Sequence, residues 1–139
     1  MTVAEEWELK RAVLDASAVL AVVSGNDPRA AALTSRLPQA NLIAPTVLPY
    51  EVTNVIRRRW AGGLVSLAQA TQSLESLAEL NIELFQWAIL ADRVWQLRGS
   101  ITTNDASYVA LAEIMDCPLL TADVKLAAMA PVTCQVVVI

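Results

Sequence analysis

Residues 12–23 read AVLDASAVLAVV, an apolar run in which a single position, Asp15, carries charge. Val13 and Leu14 before it, and Val19, Leu20, Val22 and Val23 after it, are residue types of protein interiors. The run is too short and too interrupted to span a bilayer, which takes about 20 apolar residues. It reads instead as a strand, Arg11–Leu14, passing directly into a helix, Ser17–Val23, with the acid at the junction. A carboxylate among aliphatics is costly unless something partners it. No basic residue follows Arg11 nearby, so the partner comes from elsewhere in the fold or is a bound cation.

The same switch from strand to helix recurs along the chain. Short β-rich runs at Asn41–Ala44, Ile82–Phe85, Leu119–Thr121 and Thr133–Val138 alternate with longer helical patterns. Asp27-Pro28 opens a helix to about Leu37, and Thr46 is positioned to cap a helix over Val47–Trp60 that Gly62-Gly63 ends. Ser66-x-x-Gln69 is a capping box for a helix to about Leu80, and Trp87–Leu97 has helical periodicity. Asn104 or Thr103 caps Asp105–Met115, and Val124–Met129 forms a short helix. This alternation predicts an α/β fold with a mainly parallel sheet. A length of 139 residues suits one domain, 1–139, with residues 1–10 as an N-terminal extension of no assigned structure.

Composition narrows the chemistry. Hydrophobic residues make up 55% of the chain and mean hydropathy is +0.46, which excludes disorder and leaves apolar residues to spare for partner surfaces. Histidine is absent, so Ser-His-Asp and Cys-His catalysis and His-ligated metals are excluded. Cys117 and Cys134 lack metal-ligand spacing and suit a reducing compartment as small buried hydrophobes, a disulfide between them remaining an alternative. The acidic start MTVAEEWELKR is no signal peptide, and the expectation is a soluble, cytoplasmic protein without a membrane role. A net charge of −4 and a pI near 4.7, taken alone, argue against nucleic-acid binding.

Most of the 14 acids sit in polar contexts or serve as caps, but four do not. Asp15 ends the first strand, Glu51 lies in the first turns of the helix after the second, Asp105 opens a helix, and Asp123 follows the strand LLT. Parallel sheets bind ligands beyond the carboxyl ends of their strands, and one such sheet would gather all four acids there. Asp105 and Asp123 taken singly also suit the positive end of a helix dipole. Four gathered carboxylates repel unless cations neutralise them. Hard oxygen donors without histidine or thiolate suit Mg²⁺ or Mn²⁺. Ser17, Asn54 and Thr121 are spaced to orient these carboxylates, although each also suits a local cap or surface role.

The segments VLDASAVLAVV, LPYEVTNVIRRR, TTNDASYVALAE and CPLLTADVKLA together resemble the PIN-domain nucleases, and among them the VapC toxins of type II toxin–antitoxin pairs. The resemblance runs from about Val13 to the C-terminus. It implies a PIN-like α/β/α sandwich and a divalent-metal-dependent endoribonuclease. It also implies that Asp15, Glu51, Asp105 and Asp123 hold Mg²⁺ or Mn²⁺, supported by Ser17, Asn54 and Thr121. A homodimer and a VapB-type antitoxin are implied as well. The sequence departs from the pattern in its longer leading segment and in Asn104, where a bulkier residue is common.

On this reading, two divalent ions would offset the net charge of −4 before RNA arrives. Arg57-Arg58-Arg59 adds positive charge; Arg58, seven residues past Glu51 on nearly the same helical stripe, is a candidate for phosphate contact, the alternative being a solvated helix end. Trp60 and Tyr108 are candidates for base stacking or for the core. Two rival readings stand. A phosphotransfer or haloacid-dehalogenase-like domain also places an Asp at the end of its first strand, but Ser17 stands where those hydrolases want a second Asp. A catalytically silent PIN-fold interaction module would have no need of all four acids.

Overall fold

The chain starts its sheet in the middle. In the computed structural model, which describes residues 11–36, 41–128 and 134–139, the strands are β1 (Arg11–Leu14), β2 (Asn41–Pro45), β3 (Ile82–Phe85), β4 (Leu119–Thr121) and β5 (Val136–Val138). The helices are α1 (Ala16–Val23), α2 (Arg29–Arg36), α3 (Leu48–Ala61), α4 (Leu67–Glu79), α5 (Trp87–Gln96), α6 (Thr103–Met115) and α7 (Val124–Ala127). The sheet order is β3-β2-β1-β4-β5, with every neighbouring pair parallel. The chain first builds outward from β1 to β2 and β3, then returns to β1's other side for β4 and β5. Strand order therefore reverses between β1 and β4, where a parallel sheet opens a crevice at its carboxyl edge.

Burial explains the quoted run. Ala12, Val13 and Leu14 are wholly buried, because a central parallel strand is covered on both faces and shows no alternation. Helix α1 follows with Asp15 as the only intervening residue and buries Ala18, Val19, Leu20, Ala21 and Val23 against α3, α4 and the sheet. On the other layer α6 buries Ala106, Tyr108 and residues 109–112 against α5, β1 and β2. Glu113 clamps those two helices: both its oxygens accept from Arg93, at 2.6 and 3.1 Å, so it is an interior partner rather than a solvated surface acid.

Helix ends follow the expected chemistry with two corrections. Ser66 and Gln69 complete their capping box, and Gly62-Gly63 ends α3 with Gly63 in the left-handed region. Thr46 does not cap α3: Val47 holds that position without a side-chain bond, and Pro49, with no N–H, removes one donor that a cap would have served. Helix α6 is capped by Thr102, whose Oγ1 accepts from the Asp105 amide, and not by Thr103 or Asn104, which lie inside the first turn. Met129, Thr133 and Leu37, expected at element ends, lie outside the described residues, as does the N-terminal extension. Cys117 and Cys134 are free thiols, half-buried just before β4 and β5. No helix among the described residues is long and apolar enough to cross a membrane.

Candidate active site

Each helix that follows a strand begins at the carboxyl edge of the sheet, and α6, which precedes β4, also begins there. Asp15, Glu51, Asp105 and Asp123 are accordingly all near helix starts on one edge. Asp15 and Asp123 flank the reversal between β1 and β4.

Asp15 is buried, with 6% of its surface exposed, and its carboxylate is held at both oxygens. Oδ1 accepts from the Ser17 hydroxyl at 2.6 Å and from the Ala18 amide at 3.0 Å, which makes Asp15 the N-cap of α1. Oδ2 accepts from the Thr121 hydroxyl. Ser17 and Thr121 are themselves fixed: the Ser17 Oγ accepts from the Ala122 amide at 2.8 Å, and the Thr121 Oγ1 from the Asp123 amide at 2.9 Å. The loop after β4 is thus stitched to the start of α1 through Asp15's own partners. Burial nevertheless pushes the Asp15 carboxyl above its ordinary value, and the charge of Asp105 adds to that, against the pull of the three donors. No cation among the described residues pairs with it.

Asp105 is half-buried, and its carboxyl is also raised, first by burial and then by the charge of Asp123, with Thr102 opposing. Three aspartates are therefore linked by like-charge repulsion, Asp123 acting on Asp105 and Asp105 on Asp15. Asp123 also caps α7, its Oδ1 accepting from the Lys125 amide at 2.9 Å. Both acids lie at the positive end of a helix dipole as expected, Asp123 as the N-cap of α7 and Asp105 in the first turn of α6, which Thr102 caps.

Glu51 reaches the same edge from α3, where residues of α6 receive it. The Tyr108 hydroxyl donates to Oε1 at 2.5 Å and the Asn104 amide to Oε2 at 3.1 Å. Tyr108 is 1% exposed, which rules out base stacking, and its phenol pKa is pushed upward by burial and then by Glu51. Sequence reasoning missed both as carboxylate holders. The available signals were that a buried tyrosine needs a partner for its hydroxyl, and that Tyr108 stands three residues past Asp105 on one helix face.

The other expected residues divide. Ser17 contacts Asp15 as its spacing predicted, whereas Thr121, expected beside the Asp123 side chain, donates to Asp15 and accepts from the Asp123 backbone amide. Asn54 is exposed and accepts from Arg57, at 3.0 and 3.3 Å, instead of contacting one of the four acids. Arg58 is exposed and makes no ion pair among the described residues, with Glu51 or any other acid. Among the described residues no three carboxylates or thiols are grouped tightly enough to form a ready-made metal cage. The donor set nevertheless fits a hard divalent cation in type: all oxygen, mutually repelling and without an internal counter-charge. Mg²⁺ in particular binds through one or two carboxylates, keeping waters and taking substrate phosphates, so a closed cage is not required.

Comparison with known proteins identifies the family and the fold. The PIN domain model matches residues 12–131. Ribonuclease VapC1 of Mycobacterium tuberculosis is 36% identical over 125 residues, covering 89% of this chain and 94% of the relative. The crystal structure of PAE2754 from Pyrobaculum aerophilum superposes with a TM-score of 0.64 at 26% identity, covering 85% of this chain and 84% of that one. The VapBC-1 structure from nontypeable Haemophilus influenzae shares the fold, with a TM-score of 0.57 at 20% identity over 84% of this chain and 90% of that one.

Proposed function

The chain belongs to the PIN-domain family, among the VapC ribonucleases, and on that premise we propose that it is a divalent-metal-dependent endoribonuclease and the toxin of a VapBC-type pair. The observation that carries this reading is the string of like-charged aspartates, Asp15, Asp105 and Asp123, at the strand-order reversal, with no cation among the described residues ion-paired to it. A fold keeps such a string at a cost in stability, and a bound cation with an RNA phosphate offsets that cost.

Asp15, Glu51, Asp105 and Asp123 would hold Mg²⁺ or Mn²⁺, which when bound supplies an acidified water and neutralises charge on the phosphate. The chain's own contribution is positioning and proton transfer. Ser17 and Thr121 fix both oxygens of Asp15, leaving its remaining lone pairs in set directions. Tyr108 and Asn104 do the same for Glu51. Asp105 or Asp123, both at this edge, would take a proton from the attacking water. Histidine is not needed for any of these roles.

Exposed Trp87, Ile89 and Trp95 on α5, with Tyr50 on α3, support partner surfaces, which we assign to a homodimer and a VapB-type antitoxin in the cytoplasm. The test is cleavage of cellular RNA by the purified protein with Mg²⁺ or Mn²⁺ and with EDTA. Cleavage should require the metal, and Asp15→Asn and Asp105→Asn should abolish it while both variants remain folded. Metal-independent cleavage would overturn the scheme, and full activity in either variant would remove that residue from it.

A further inference from the structure

Beside the acid edge lies a cavity of about 600 Å³ whose lining runs from neutral at one end to net basic at the other. At its near end are Ser17 and Ala122, the pair whose hydrogen bond ties α1 to the loop after β4. Its wall follows α1 from Ser17 to Ser24, seven residues and about 10 Å of helix. At its far end stand Ser24, Asp27, Arg29 and Arg59. Arg29 is engaged by Asp27 through two hydrogen bonds, Nε to Oδ1 at 3.0 Å and Nη2 to Oδ2 at 2.6 Å. Arg59 is half-buried; its Nη1 donates to the neutral Ser24 Oγ at 3.3 Å, and it feels the charge of Asp27 only at longer range, without an ion pair among the described residues. One carboxylate thus faces two guanidiniums, and the far end is positive in a chain of net charge −4.

Resting on the ribonuclease reading, we propose that this groove is a substrate subsite: it seats the RNA strand next to the scissile bond, with Arg59 contacting a neighbouring phosphodiester. Three features select that ligand. The groove is continuous with the edge where the scissile phosphate lies. Its volume is within the range of sites that enclose small molecules, about 300–1,000 Å³. Its excess cation, with one Asp27 shared between Arg29 and Arg59, is a guanidinium, whose planar fork matches phosphate oxygens. Nucleic acid repeats its charge along the strand, so one molecule meets both the acid edge, through metal, and the guanidinium beyond it. The turn geometry also separates Arg59 from Arg58: Arg59 faces α1 and the cavity, whereas Arg58 is exposed and lines no part of it.

The test compares Arg59→Gln and Arg59→Lys with Arg98→Gln. Arg98 stacks on Trp95 at 4.8 Å and lines no part of the groove. Binding of a fluorescent single-stranded RNA is measured at several salt concentrations in an Asp15→Asn background, and cleavage kinetics are measured in the otherwise native chain. Arg59→Gln should weaken binding, lower the slope of log K against log salt by about 1, and raise KM several-fold with kcat little changed. Arg59→Lys should recover part of the affinity, and Arg98→Gln should change neither. Melting curves confirm folding, and Arg59→Lys keeps the test valid if the glutamine variant fails to fold.

Unchanged slope and KM in a protein that binds and cleaves RNA overturn the subsite and leave the nuclease reading intact. Arg59-dependent RNA binding without cleavage by the parent supports the subsite and removes the nuclease reading. If the parent neither binds nor cleaves RNA, both fall. Loss of a copurifying protein partner on Arg59→Gln, with RNA affinity unchanged, assigns the groove to that partner and overturns the proposal.

Discussion

Replacing Asp105 with asparagine should stabilise the metal-free protein, because the side chain it neutralises is half-buried and repels acids on both sides. Asp123 raises its carboxyl pKa and it raises that of Asp15, so one substitution relieves two repulsions. A like-charge pair costs about 4 kcal/mol at 4 Å and an effective dielectric of 20. Wider separation and physiological salt bring this to about 1 kcal/mol per neighbour, or about 2 in all. Against it stands the favourable charge in the first turn of α6, about 0.5 kcal/mol. Thr102 keeps its cap on the backbone amide of residue 105, and its hydrogen bond to the Asp105 carboxyl passes to the asparagine Oδ1. The balance of about 1.5 kcal/mol predicts a melting point about 5 °C higher for the variant at pH 7 in EDTA.

Two further measurements make the result specific. A carboxyl whose folded-state pKa is raised binds protons more tightly when folded, so its penalty is full above that raised value and fades as pH falls toward about 4. The gap between variant and parent should therefore close with acidification. With Mn²⁺ at a hundredfold excess over its dissociation constant the parent gains about 2.7 kcal/mol, the variant loses a ligand, and the order should reverse. Asp116→Asn is the control: residue 116 ends α6 in the left-handed region, where asparagine is well tolerated. If Asp105→Asn lowers the melting point equally with and without metal, Asp105 is a structural residue and the repulsion argument fails.

Tyr108→Phe removes a hydrogen bond to a carboxylate that Asn104 continues to hold, a contact of about 1.5–3 kcal/mol. It should lower kcat with little change in RNA affinity, read by single-turnover cleavage and anisotropy; unchanged kcat would show that Glu51 needs no such support. Expression of the chain alone should arrest bacterial growth, and co-expression of the gene beside it should relieve the arrest and yield a copurifying complex. Harmless expression with no copurifying partner would remove the toxin assignment while leaving the nuclease one open to the cleavage assay.

The fold was legible where local chemistry decides it. A contiguous apolar strand, a complete capping box at Ser66 and a Gly-Gly stop each specify their structure without help from distant residues. The four acids were legible for a related reason: in a parallel α/β chain, connectivity alone carries the starts of α1, α3, α6 and α7 to one edge. Contacts between elements were not. Glu51 meets Tyr108 and Asn104 across 57 and 53 residues of chain, and no periodicity marks such a meeting. Asn104 read as a departure from the family pattern and proves to hold Glu51. The arginine run shows the same limit. Helical spacing aligned Arg58 with Glu51, but α1 packs against another side of α3, and it is Arg59 that faces it.

The acidic pI misled because net charge averages over segregated regions. Arg93 is consumed by Glu113 and Arg98 lies against Trp95, while Arg29 and Arg59 gather where α1 faces α3. The acids gather at the strand edge instead. Such a separation is unfavourable for the isolated chain, since each region repels itself and neither neutralises the other. It is favourable for a ligand that brings divalent cation to one end and phosphate to the other. Asp15 shows how the fold sustains the arrangement: its carboxylate caps α1 and anchors Thr121 of β4, so the group that a metal would use also holds the loop in place. Asp15 thus has a structural role independent of any catalytic one. The presence of Asp15 alone is therefore weak evidence for activity, and the burden falls on Asp105, which no capping bond explains.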